Sequence, residues 1–494
     1  GCEACGTTRP EFIFDVLETP LRDLSGDIIF EENNRGQLVP ARRYSPDYWR
    51  DKYEAYRLMK DVQAPAPPRE SPPSLPSSAR RREPLRWREE WRQFRVLFKR
   101  AFFSKLRNNA NLLITLLASP ALALLIGFVL RHSEGARYDF ASAYHIPVYL
   151  FLSLVVAMFL GLTNSVDDIT RDKPVLFRER NLNVRLGYYV VAKALTLAAF
   201  AIVQCVLFTF VGDALLAVRG MFWIVFAAMF LTTMSGVAIG LVVSSLVNES
   251  KTGVLIIPVV LIPQLILAGA FIKYEDMNRN LDIVYTIQQW KNRHPGTAME
   301  PRSDLQVPLI CELMPMRWSY EALIFAQAKL NPFTRRQEKI QKQINELAAL
   351  RNPSTAEEER LEDLKDLLAV LSGLQAGTPR ELDRLFGDVD AVADGAPFDR
   401  KKFRTRERGV TAEQLYVNTK VTDLISKAEM EQSDYRNDLE GRRHLNVFFG
   451  PVKEYLGLRV GVLWFNAGVL LVSTLALFYA LYLILNYQVR LRSV

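Results

Sequence analysis

MFWIVFAAMFLTTMSGVAIGLVVSSLV, residues 221–247, runs without a single charged side chain. As a helix it would extend about 40 Å at roughly 1.5 Å per residue, more than the about 30 Å of hydrocarbon in a bilayer. Five other runs share its character: 111–130, 146–163, 189–211, 253–272 and 461–486. A soluble core can bury one such helix, but six in one chain point to a membrane. The expected fold class is an all-α membrane protein. Its centre is a six-helix transmembrane bundle, preceded by an interfacial connecting helix and interrupted between spans five and six by a large, mainly helical insertion.

Composition fits a mosaic of spans and polar extensions, with 49% hydrophobic and 23% charged residues. The net charge of +8 is concentrated before span one, at Arg80, Arg81, Arg82, Arg86, Arg88, Arg92, Arg95, Lys99, Arg100, Lys105 and Arg107. A run placed there reads as a contact with anionic membrane lipids; no nucleic-acid partner is expected. Positive flanks are retained in the cytoplasm. The N-terminus is therefore expected inside, as are the 167–187 loop with Arg171, Lys173, Arg178, Arg180 and Arg185, and the tail with Arg490 and Arg492. The same count puts 273–460 outside, in a multi-pass protein of the cell or inner membrane.

Residues 1–61 read as the edge of a soluble domain, with an apolar patch at Phe12, Phe14, Val16 and Leu17 and a short helix near 44–59. No signal-peptide pattern precedes the first span, and further sequence is expected upstream. Prolines 65, 67, 68, 72, 73 and 76 make 62–79 an extended linker. In 80–107, Trp87, Trp91, Phe94, Phe98 and Phe102 recur at three- and four-residue steps between basic residues, which describes an amphipathic helix at a membrane surface. The spans and their loops occupy 108–272. The insertion is 273–460, and span six with a basic tail is 461–494.

Cys2 and Cys5 form one CxxC without the second ligand pair of a structural zinc site, and Cys205 and Cys311 stand apart. His132, His145, His294 and His444 are scattered, so no metal site is expected. There is no GxSxG, HExxH or GxGxxG, and no catalytic residue is assigned. Asp167, Asp168 and Asp172 read as solvated acids of a basic loop, and Lys193 as a cation snorkelling from the end of its span.

Within the spans, Pro120, Pro258 and Pro263 are expected to kink or unwind their helices. Gly236 and Gly240 form a GxxxG step for close helix packing, within the subunit or across a dimer. Asn164 and Gln264 are candidates for lining a polar substrate path, against the competing reading of helix–helix hydrogen bonding. In the loop DDITRDKPVLFRERNLNVRLGYYVVAKAL, Phe177 beside Arg178, Glu179 and Arg180 offers an apolar knob ringed by charge, suited to a partner's groove.

Several strings together resemble the type-2 ABC transporter permeases, within them the G-type subfamily of White and pleiotropic-drug-resistance transporters. RPEFIFDVLE at 9–18 and SPDYWRDKYEAYRL at 45–58 are similar to the end of that family's ATPase domain, and 87–106 to its connecting helix. Phe177, Glu179, Tyr188 and Lys193 match its coupling-helix pattern. AGAF at 268–271 and MPMRWSYEAL at 314–323 match its outer strings. The resemblance implies that 1–61 is the tail of an upstream nucleotide-binding domain. It assigns ATPase coupling to Phe177, Arg178, Glu179, Arg180 and Tyr188, and implies a homodimer or heterodimer of permeases driven by an ABC ATPase domain, upstream in the same protein or on a separate subunit. ATP and Mg would enter through that domain, since this chain has no GxxxxGK[ST] loop to hold phosphate and no cofactor of its own.

The insertion is longer than the family's usual form and lacks its paired external cysteines. Thr355 to Glu358 reads as a capping box; Ile340, Ile344 and Leu347, then Leu361, Leu364, Leu368 and Leu371, predict a helical hairpin near 334–374. LSGLQ at 371–375 imitates an ABC signature string but lies in the external region. The favoured function is the permease part of an ATP-driven exporter of lipid-like or amphiphilic substrates. The alternative is a membrane anchor or sensor displaying an outer helical domain.

Overall fold

The computed structural model describes residues 19–23, 25–32, 38–41, 43–63, 87–107, 109–132, 138–179, 185–278, 281, 307–350, 354–376, 379–399, 402–403, 410–437, 447–455 and 458–491. The chain divides into two compact units, 1–83 and 84–494.

In the first unit, β1 (Phe30–Glu32) pairs antiparallel with β2 (Leu38–Pro40), Glu31 opposite Val39. Helix α1 (Pro46–Gln63) follows, its start capped by the Ser45 hydroxyl, which accepts from the Tyr48 amide at 3.2 Å. The apolar patch expected at Phe12 to Leu17 lies outside the described residues.

The second unit begins with α2 (Trp87–Leu106), then α3 (Asn109–Leu130), α4 (Ile146–Ser165), α5 (Asp168–Glu179), α6 (Leu186–Leu216), α7 (Phe222–Leu246) and α8 (Ser250–Ile266). Among the described residues, five helices are long and apolar enough to cross a membrane: α3, α4, α6, α7 and α16 (Val462–Leu491). The sixth expected run, 253–272, forms the shorter α8, which has 17 residues, about 25 Å of rise. Its end has a local cause. Pro263 cannot donate a ladder hydrogen bond, and Gly269 turns left-handed at φ +79°, where a side chain would strike the Tyr274 ring.

Helices α4 and α7 pack most closely because glycines remove the side chains between them. A Cβ on Gly161 would fall on the Thr233 carbonyl, and one on Gly236 would lie 2.7 Å from the Met158 carbonyl. A Cβ on Gly240 would collide with the Ser165 hydroxyl. The GxxxG step therefore packs against α4 of the same chain.

Part of the expected insertion belongs to the bundle. After the short α9 (Leu309–Glu312), α10 (Pro315–Lys329) packs against α4, α7 and α16. Beyond it lie α11 (Pro332–Ala348), α12 (Thr355–Gly373), β3 (Gln375–Ala376), α13 (Pro379–Ala393), β4 (Val410–Thr411) and α14 (Ala412–Tyr416). These share a separate apolar core around Phe333, Ile340, Leu364, Leu367, Leu371 and Phe386. The hairpin forms between α11 and α12, but its capping box is one residue earlier than the sequence suggested. Ser354 is the N-cap and Glu357 completes the box, because Ser354 is the residue still in extended geometry, at ψ 159°. LSGLQ is the buried end of α12 running into β3, with Leu371 and Leu374 in the core. Helix α15 (Thr419–Asn437) returns to the bundle, and the hairpin of β5 (Val452–Tyr455) and β6 (Leu458–Gly461) leads into α16.

Candidate functional site: a buried charge joint at the start of α5

The expected 167–187 loop is largely helix. α5 starts three residues after α4 ends, and its first amides find their acceptor on another span: Ile169 and Thr170 N–H donate to the Ser244 hydroxyl of α7 at 3.0 and 3.1 Å. The Thr170 hydroxyl donates to the Ser244 carbonyl at 2.8 Å. A borrowed cap of this kind fixes the start of α5 to α7.

Asp168 and Asp172 are one turn apart and so share a face of α5. Toward that face come Lys193 of α6 and Lys105 of α2. Lys105 lies 3.0 Å from Asp168, and Lys193 lies 2.9 Å from Asp172 and 3.6 Å from Asp168. The Tyr189 hydroxyl donates to Asp172 at 3.0 Å, and Lys105 also donates to the Asn164 carbonyl at 2.8 Å. Asp168 and Lys193 side chains are each only 10% exposed, so their charges are screened by one another more than by water. Asp168 and Asp172 are thus ion-paired within the bundle instead of standing free in a loop, and Lys193 does not snorkel. Two carboxylates of α5 give its ammonium partners within 3.6 Å. Beside this joint, Glu90 of α2 accepts from the Tyr188 hydroxyl at 2.7 Å and pairs with Arg185. Phe94 and Phe102 of α2 pack on Tyr188 and Phe200. These rings thus face the protein, contrary to the expectation that they face the membrane surface.

Residues 92–288 match the family model described as ABC-2 type transporter. The segment is thus similar to the membrane domain of ABC-2 type transporters. Permease domains of that family work with ABC ATPase domains, and α2, α5 and α6 are the helices that the buried joint ties together here.

Of the residues assigned to coupling, Tyr188 is in the joint's hydrogen-bond network. Phe177, Arg178 and Glu179 fall on the last turn of α5, with side chains outside the described residues, and Arg180 lies outside them entirely. The two path candidates are tied to neighbouring helices. Asn164 donates to the Gln204 side-chain carbonyl at 2.8 Å, and Gln204 donates to the Thr115 carbonyl at 2.8 Å, which links α3, α4 and α6. Gln264 is buried, and its carbonyl accepts from the Met316 amide at 3.4 Å, joining α8 to α10.

Sequence reading missed Lys105, Glu90 and Arg185 as joint residues. The one available signal was Lys193, a charge inside an apolar run with two acids spaced by four shortly before it. It also missed Asp213, buried near the opposite end of α6 and bonded to the Tyr149 hydroxyl at 3.1 Å.

A second charged cluster lies beyond the matched segment, in the MPMRWSYEAL string. Glu321, Lys453 and Arg317 have fully buried side chains. Glu321 is 2.6 Å from Lys453 and 3.6 Å from Arg317, and it accepts from the Phe449 amide at 2.8 Å and from Asn466 of α16 at 3.0 Å. Burial alone would push the Glu321 carboxyl up; Lys453 and then Arg317 more than offset this and hold it below the usual carboxylate value. Lys453 is drawn below the usual lysine value by burial, because the one carboxylate is shared with a second cation. The excess positive charge meets the Val447 carbonyl, 2.6 Å from Lys453, and the Trp318 ring, 3.6 Å from Arg317.

Proposed function

We propose that this chain is the permease half of a G-type ATP-driven exporter, working as a dimer and moving a lipid-like or amphiphilic substrate by alternating access. In this reading α8 completes a six-span arrangement and both termini are cytoplasmic. An ABC ATPase domain supplies ATP and Mg and engages the 177–180 end of α5. The observation that carries the reading is the buried joint. Lys105–Asp168, Lys193–Asp172 and the Ser244 cap hold the start of α5 rigidly to α2, α6 and α7, so a displacement of its far end moves three helices together. A solvated loop would absorb that displacement instead. Conversion of ATP binding into a change of access requires such a link, because nucleotide can bias the bundle only through contacts that differ between its two packings.

The test is a charge exchange in the transporter assembled with its ATPase and reconstituted in vesicles. Asp172→Lys should abolish ATP-driven export while the ATPase still turns over at its basal rate. The exchanged pair Asp172→Lys with Lys193→Asp should restore a substantial part of export. Export unaffected by Asp172→Lys, or basal ATPase lost in parallel with export in both variants, would remove the joint from the coupling path. A chain that recruits no ATPase at all would leave the anchor reading in its place.

A further inference from the structure

Helix α2 turns one face to the bundle and leaves the other uncovered. Leu97 is buried, Phe94, Phe98 and Phe102 are partly covered, and Glu90 and Lys105 reach into the joint. At 100° per residue, Arg88, Arg92, Arg95 and Lys99 fall within about 60° of one another, about 120° around the helix from the centre of that covered face, at i, i+4, i+7 and i+11. All four are exposed, and none makes an ion pair or hydrogen bond among the described residues. Exposed apolar side chains border this stripe on both edges: Trp87 and Trp91, 80% and 60% exposed, on one side, and Val96 and Phe103, 60% and 58%, on the other.

The level of the stripe follows from its neighbours. Phe94 packs on Tyr188, at the start of α6, and Phe102 on Phe200, twelve residues further into that span. The Arg88 to Lys99 segment therefore sits beside the end of α6, and only the last turns of α2 descend along it. α3 begins three residues after α2 ends, and its exposed Leu113, Ile114 and Leu117 are lipid-facing in any spanning arrangement. A cationic stripe bordered by tryptophans at the end of a span complements the negative headgroup layer, and the apolar edges suit the boundary beneath it.

We propose that the Arg88–Arg92–Arg95–Lys99 stripe of α2 is a docking surface for anionic phospholipid headgroups. The same helix carries Glu90 and Lys105 into the charge joint, so lipid held there also sets the position of α2 against α5 and α6. That consequence rests on the coupling reading above, whereas lipid binding itself needs neither ATP nor an ATPase.

Native mass spectrometry of this chain, titrated in detergent with phosphatidylglycerol or phosphatidylcholine, tests it directly. The parent chain should bind phosphatidylglycerol more tightly. Each neutralised cation should weaken that binding about fivefold, roughly 1 kcal/mol at 1.4 kcal/mol per tenfold. Arg92→Gln with Arg95→Gln should then weaken it about 25-fold and leave phosphatidylcholine binding unchanged. If the double variant fails to fold, Lys99→Gln and a salt titration of the parent serve: the preference should fall as the Debye length shortens from about 10 Å at about 0.1 M to about 3 Å at about 1 M. Equal binding of both lipids, or an undiminished preference in the variants, overturns the inference. An undiminished preference combined with weaker association of the ATPase would show that the stripe is a protein-binding surface.

Discussion

Replacing Glu321 by Gln keeps the side chain's shape and removes the carboxylate that lies within 4 Å of two buried cations. Lys453, at 2.6 Å, and Arg317, at 3.6 Å, would then stand fully buried without the carboxylate that pairs with both. The new amide nitrogen would also meet donors in either orientation, the Lys453 ammonium and Phe449 N–H in place of Oε1 or the Asn466 amide and Arg317 in place of Oε2. Removing one member of a buried ion pair destabilises by about 3–5 kcal/mol, because the desolvation of the survivor is no longer offset. Glu321→Gln should lie at the upper end of that range, since it leaves two survivors. Lys453→Met should be milder, because Glu321 and Arg317 remain as a neutral pair. Combined with Glu321→Gln it should recover stability relative to the single change, giving a favourable interaction energy of about 1–3 kcal/mol.

Cys311 is a convenient reporter. It is fully buried on α9, directly before the α10 string that carries Arg317 and Glu321. In a background where it is the remaining cysteine, its reaction with a thiol-reactive dye under increasing temperature or denaturant follows opening of this region. A loss below about 0.5 kcal/mol for Glu321→Gln, within the usual range for surface substitutions, would refute the reasoning. So would Lys453→Met proving the more damaging of the two, since the argument depends on the cluster's excess of positive charge.

Acid should act through the same carboxylate. The folded value of Glu321 is depressed, so its contribution is complete above the unfolded carboxyl value of about 4.3 and is lost only as pH falls through the lower folded value. Cys311 protection should therefore be flat from about pH 7 to about pH 5 and decline below about pH 4; a decline centred near neutrality would contradict it. Gly161→Val should destabilise by about 1–3 kcal/mol or prevent assembly, because its Cβ falls on the Thr233 backbone carbonyl, which cannot turn aside; detergent thermal unfolding measures it. Ser354→Ala should cost about 1 kcal/mol through loss of the α12 cap, seen as faster amide exchange in the first turn of that helix and not in the bundle.

The spans were legible because each is a local property: twenty or so apolar residues, whatever they pack against, cannot be housed elsewhere. Residues 253–272 show the limit of that reading. Their hydropathy suggested a full crossing, but Pro263 and the left-handed Gly269 end the helix at Ile266. The charge joint was not legible because Lys105, Asp168 and Lys193 come from three helices, up to 88 positions apart, and charge signs alone do not say which pair meets. Glu321 and Lys453 are farther apart still. The aromatic ladder of α2 was correctly read as one face of a helix. Its Phe94 and Phe102 rings meet α6 while Trp87 and Trp91 stay exposed, a division that periodicity does not show, because it says that a face is apolar and not whether lipid or another helix covers it.

A route between the two charged clusters follows from the placement of α7. Ser244 caps α5 at one end of this helix, and twelve residues earlier, about 18 Å along its axis, Thr232 donates to the Ser319 hydroxyl of α10 at 2.7 Å. Ser235 lies 2.7 Å from the Thr474 hydroxyl of α16. Between these polar ties, Gly236 meets the Met158 carbonyl and Gly240 the Ser165 hydroxyl of α4, so the two helices are held in close contact. A bundle packed this tightly does not deform smoothly; it shifts between discrete packings. On the proposed coupling, a push on α5 therefore reaches α10 by rigid displacement of the α4–α7 pair. Ser244→Ala should weaken export while leaving both charge clusters intact, and unchanged export in that variant would require the signal to travel through α6 and its Lys193 instead.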